Sequence, residues 1–100
     1  MIGTLAEVKR AVQAGIQFEI VEHFIRPECK GQIRIPAKVT KTGFYSKIKG
    51  EPEYSPMNMS NDGKGIWMPF GKASDWEFKN GICTESHNGQ KVWSIVFKEE

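Results

Sequence analysis

Apolar positions first recur at helical spacing and then in alternation. Leu5, Val8 and Val12 fall three and four apart, and Thr4 followed by Glu7 forms a capping box in which hydroxyl and carboxylate satisfy first-turn N–H groups. With Gly15 as its C-terminal cap, this predicts one amphipathic helix over about 4–14. After it, the segment 16–25 is rich in β-branched and aromatic residues and is closed by Pro27. In 32–40, Ile33, Ile35, Ala37 and Val39 are expected to point inward, with Gln32, Arg34, Lys38 and Thr40 outward. Pro36 cannot donate to a ladder, so this strand is expected to be an edge or to carry a bulge there. Thr42-Gly43 reads as a turn, and 44–48 returns with Phe44 and Ile48 inward and Tyr45 and Lys47 outward.

Residues 49–65 lose the alternation in a run of Gly, Pro, Ser and Asn, which predicts a flexible loop. Beyond it, Ile66-Trp67-Met68 makes a short strand. Asn80-Gly81 and Asn88-Gly89 each sit between short β-runs, the signature of type I′ hairpins. The last strand, 92–97, is apolar on both faces and is expected to be central. Trp76, Phe78 and Trp93 are expected in the core, whereas Trp67 is the candidate for exposure. The pattern predicts an α+β fold in one domain, 1–100: an N-terminal helix packed on a curved antiparallel sheet, or small barrel, of five to seven strands.

Composition excludes a disordered, collagen-like or cysteine-rich chain, since 39% of the residues are hydrophobic and eleven are aromatic. No run approaches the length that spans a bilayer, and Glu7, Lys9 and Arg10 interrupt any signal core. The expectation is a soluble protein of the cytoplasm, with no membrane partner and with Cys29 and Cys83 as free thiols.

Charge changes the picture more. The net charge is only +2, but residues 26–50 carry seven basic side chains against Glu28 alone. Arg34, Lys38, Tyr45 and Lys47 are expected to share one solvent-facing strand surface, with Arg26 and Lys30 in the preceding turn and Lys41 at the hairpin end. Trp67 is the additional stacking candidate. Cations attract phosphates and a ring offers a platform for a base, so this set predicts binding of a nucleotide or nucleic acid. Edge lysines that only keep a strand face soluble are the competing reading.

Other constellations carry less. His23, Cys29, Cys83 and His87 have the right count for zinc but not the tight paired spacing of zinc modules, so no metal and no cofactor is expected. Asn61-Asp62-Gly63-Lys64-Gly65 departs from the P-loop signature and reads as turn chemistry. No serine has a G-x-S-x-G setting, and the carboxylate pairs Glu51/Glu53 and Asp75/Glu77 fit solvated surfaces, so no catalytic residue is assigned and no enzyme is expected.

The segments TLAEVKRAVQAGIQFEI, GQIRIPAKVTKTGFYS and GIWMPFGKASDWEFKNGICT resemble small proteins encoded by phages and prophages of Gram-positive bacteria. The opening helix-Gly-strand and Ala73-Ser74-Asp75-Trp76-Glu77 are also similar to phage Thoeris anti-defence sponges, which bind a cyclic nucleotide signal as oligomers. The sponges' Trp-Asn-Gly segment after the first strand is absent, and this chain extends well past its Asp-Trp. The resemblance implies an accessory protein that acts by binding against host defence; the sequence leaves self-association open, with an edge strand at Pro36 and a small core favouring a homodimer or higher homo-oligomer. The alternative is a protein–protein inhibitor or assembly factor that contacts a host enzyme through the 51–65 loop and Trp67.

Overall fold

The computed structural model describes residues 2–50 and 66–98. Expectations for the 49–65 loop, including the Asn61–Gly65 turn, fall almost entirely outside the described residues. The helix α1, Leu5–Gln13, starts where the capping box places it. Glu7 N–H donates to Thr4 Oγ1 at 3.2 Å, while Glu7 Oε1 accepts from the N–H of Gly3 and the hydroxyl of Thr4, both at 3.1 Å. Those bonds hold the Glu7 carboxyl below its ordinary range. Gly15 ends the helix with φ +75°, a conformation open to glycine without a Cβ penalty.

Seven strands follow among the described residues: β1 Phe18–His23, β2 Ile33–Val39, β3 Gly43–Ile48, β4 Ile66–Pro69, β5 Trp76–Lys79, β6 Ile82–His87 and β7 Gln90–Phe97. They form one antiparallel sheet in the order β4-β3-β2-β1-β7-β6-β5. Two meanders, β1–β4 and β5–β7, thus join through β1 and β7, and β7 is central as its two apolar faces require. The sheet curls into a half-barrel with α1 on its concave side. Val8 and Val12 from the helix bury against Phe18, Ile20, Phe44, Met68, Trp76, Cys83, Trp93 and Ile95. Phe18 meets both Phe44 and Phe97 edge-on, at centroid distances of 6.0 and 5.7 Å. Asn80 and Asn88 each have φ 53° and are followed by glycines at +81° and +80°, the type I′ geometry their sequence predicts.

The strand β2 departs from the expected alternation. Arg34 pairs with Ile48 and Pro36 with Ser46, both on the concave face, and Arg34 is fully buried. Ile35, expected inside, pairs with Lys47 outside and is 39% exposed. A bulge between Pro36 and Val39 then restores the phase, so that Val39 opposes Phe44. The proline expectation is met by its bulge alternative. The structure also moves Gly43 from turn to strand: it opens β3 opposite Pro69, where a Cβ would stand 2.5 Å from the Met68 carbonyl oxygen.

Candidate functional site

The outer face of β2–β3–β4 brings together part of the expected set. In β3, Phe44 and Ser46 point into the core, which forces Tyr45 and Lys47 outward. Tyr45 stands directly opposite Trp67 on β4, ring centroids 5.0 Å apart and planes inclined at 58°. Trp67 remains 37% exposed. Its indole lies over Gly43, where an added Cβ would come within 2.7 Å of Trp67 Cζ2, so the bare glycine seats the ring against the sheet. Lys38 on β2 and Lys41 in the β2–β3 turn are exposed at the Gly43 end of this face; Lys49, whose N–H donates to the Ile33 carbonyl, is exposed at the other. The hairpin between them is about 20 Å long at the usual rise per strand residue.

Arg34 does not belong to that surface. Its guanidinium lies inside the half-barrel, where Nε donates to Ser46 Oγ at 2.8 Å, Nη2 to the Ser46 carbonyl at 2.7 Å and Nη1 to Gln32 Oε1 at 2.7 Å. Burial lowers its pKa to about 10, still charged at neutral pH. The local alternation pointed it outward; the cross-strand pairing of β2 with β3 turns it inward, and the Ser46 bonds compensate for its desolvation. Arg26 and Lys30 are exposed in the β1–β2 connection, beside the short helical turn Pro27–Cys29. Lys30 reaches Glu22 at 3.7 Å, an exposed pair of small energetic weight.

A second concavity, of about 330 Å³, opens beside the β6–β7 hairpin between Ile25, Pro69, Val92 and Trp93, with Glu85 in its lining. Glu85 is only 4% exposed. Burial, reinforced by the negative charge of Asp75, pushes its pKa up to about 8. Sequence reasoning missed this residue. The available signal was its place two residues from Cys83 in β6, which puts a carboxylate on a core-facing position. Nearby, His23 Nδ1 accepts the Arg26 N–H at 3.0 Å, which assigns the ring proton to Nε2, and burial lowers its pKa.

Cys29 and Cys83 are buried free thiols, and burial raises the pKa of both. Among the described residues, no three His, Cys, Asp or Glu side chains group closely enough to hold a metal ion, and no helix is long and apolar enough to cross a membrane. No protein-family model, curated protein or solved structure matches the chain.

Proposed function

We propose that this chain is a non-enzymatic binding module that takes a phosphate-bearing ligand, a nucleotide or a nucleic acid, on the outer face of β2–β3–β4. The observation that carries this reading is the Tyr45–Trp67 pair, an accessible tilted aromatic platform on the sheet, with Lys47 on the same face. Bases stack on such rings without regard to sequence, at about 1–3 kcal/mol each. Lys38, Lys41, Lys47 and Lys49 supply phosphate contacts around the platform, and Arg26 and Lys30 extend the positive field. Arg34 leaves the ligand-binding set and supports β3 from behind. The resemblance to phage proteins extends the reading to an antagonist of host anti-phage defence acting in the host cytoplasm by holding a nucleotide signal. Homo-oligomerisation fits the edges of the sheet, since β4 and β5 each pair on one side only among the described residues.

The test is fluorescence titration of the full chain with oligothymidylate, oligouridylate and cyclic nucleotides at two salt concentrations. Trp67→Ala is expected to weaken binding about tenfold or more, and Lys38→Glu/Lys47→Glu to weaken it and flatten its salt dependence. Absence of binding to every probe, or unchanged affinity in both variants, overturns the reading. A second reading, a protein–protein inhibitor using the same face, is favoured by the exposed Ile35 beside Lys47. It is separated by salt, which weakens an apolar interface far less than phosphate binding.

A further inference from the structure

The cleft beside the β6–β7 hairpin holds an uncompensated acid among apolar walls. Glu85 Oε1 has no hydrogen-bond partner among the described residues, and the same is true of the Trp93 indole N–H. A buried polar atom ordinarily has one. The other carboxylate oxygen, Oε2, lies 3.0 Å from where a Cβ would stand on Gly71, and Asp75 Oδ2 lies 2.9 Å from that same point. Glu85 is also the in-register neighbour of Trp76 on β5 and of Trp93 on β7, so indoles bracket it across three strands. Ile25 stands 67% exposed at the mouth.

These features select one ligand chemistry. An anion would meet Lys91 in the lining, but it has no donor to give the buried Glu85 oxygen. A purely apolar molecule would leave the Glu85 oxygen unpartnered. A metal ion would find only two carboxylates and, among the described residues, no third donor. A positively charged nitrogen on an apolar stem meets the acid and the walls: the ammonium donates to Glu85, the stem covers Val92 and Ile25, and the Trp93 indole supplies an aromatic wall while its N–H, a donor, gains no partner from the ligand. The other titratable groups around the acid are Asp75 from the short helical turn Ala73–Asp75, His87 on β6, Lys91 on β7, and His23, whose ring meets Trp93 at 5.7 Å. Of these, Asp75 acts directly on Glu85, and with negative sign.

We infer that this cleft is a binding site for an organic ammonium ion, a primary amine carried on an aromatic or branched aliphatic stem, with Glu85 as its counter-ion. The site is separate from the outer face of β2–β3–β4 and does not depend on what that face binds. In the empty cleft Glu85 keeps its proton at neutral pH. When the ammonium enters, that proton leaves to solvent and the carboxylate pairs with the ligand. Binding therefore releases one proton, and apparent affinity rises about tenfold per pH unit up to about 8, then levels.

Benzylamine is the probe and benzyl alcohol its uncharged counterpart. Each is titrated into the full chain at pH 6, 7 and 8, with tryptophan fluorescence for affinity and calorimetry in two buffers of different protonation enthalpy for the proton count. The expected result is saturable benzylamine binding that strengthens about tenfold from pH 6 to 7, with about one proton released. Benzyl alcohol is expected to bind at least about tenfold more weakly, and Glu85→Gln to lose benzylamine affinity by a similar factor while keeping its circular dichroism spectrum. The inference is overturned if benzylamine fails to saturate below ~10 mM. Equal binding of benzyl alcohol, tighter binding of benzoate, or a folded Glu85→Gln variant that binds like wild type overturns it equally. Should that variant not fold, the pH series and the uncharged counterpart decide on the wild-type protein alone.

Discussion

Among the described residues, the two wings of the half-barrel each bury one side chain of the Asp, Glu, Lys or Arg type, and they treat it differently. In the β2–β3 wing, Arg34 is fully buried, and its guanidinium spreads three hydrogen bonds over Ser46 and Gln32. In the β5–β6–β7 wing, Glu85 is almost as buried, yet one of its oxygens has no partner among the described residues. The first arrangement is architecture: a desolvated charge whose bonds fix the register of two strands. The second is a cost the fold carries without an internal return, which is the condition under which a ligand can supply the missing bond. Burial alone does not tell a structural ion from a binding one; the state of its hydrogen bonds does.

The comparison breaks first if Arg34 proves dispensable. Arg34→Ala leaves a cavity and strips the Ser46 carbonyl and hydroxyl of a donor, so it is expected to cost about 3–5 kcal/mol. Thermal unfolding reads this as a midpoint drop of well over ten degrees, or as failure to fold; a shift of a degree or two would show that the guanidinium does not hold β3.

Glu85→Gln is expected to act in the opposite direction, and with a pH signature. The folded-state pKa of Glu85, about 8, lies above the ordinary 4.5. Between those values the folded protein keeps a proton that the unfolded chain releases. Stability therefore falls as pH rises through that window and levels beyond it. The variant should gain on the order of 2 kcal/mol over wild type at pH 8 and almost nothing at pH 5, measured by urea unfolding at both. His23, whose lowered pKa costs stability below its ordinary 6.5, contributes to both proteins and cancels in the difference.

Gly43→Ala sharpens the contrast from the outer side. Its methyl would collide with the Met68 carbonyl and the Trp67 ring. An expected cost of about 1–2 kcal/mol should come with a changed Trp67 emission while the β6–β7 hairpin is untouched. Thr4→Ala, which removes the helix cap, is expected to cost about 1 kcal/mol and to alter neither emission nor pH profile. A change in either would show that α1 couples the wings.

Local signals made much of this fold legible. Thr4 and Glu7 announce the helix start, the two Asn-Gly pairs announce their hairpins, and the alternation in 44–48 places Tyr45 outward and Phe44 inward. Arg34 was illegible because the phase of β2 is set by its pairing with β3 and then reset by the bulge before Val39. A one-residue phase change exchanges every inside position for an outside one, and nothing within 33–39 encodes it. Glu85 was illegible for a related reason. Its meaning comes from Trp76 and Trp93 on two other strands, nine and eight residues away along the chain.

The bare backbone at position 43 has a consequence for how this molecule can vary. The space a Cβ at Gly43 would need is taken both by the β4 backbone and by the accessible indole, so strand spacing and ring presentation cannot be tuned separately. In a library of variants selected only for ligand capture, position 43 should emerge as intolerant to replacement even though it offers a ligand no functional group, and second-site rescue should map to residue 67.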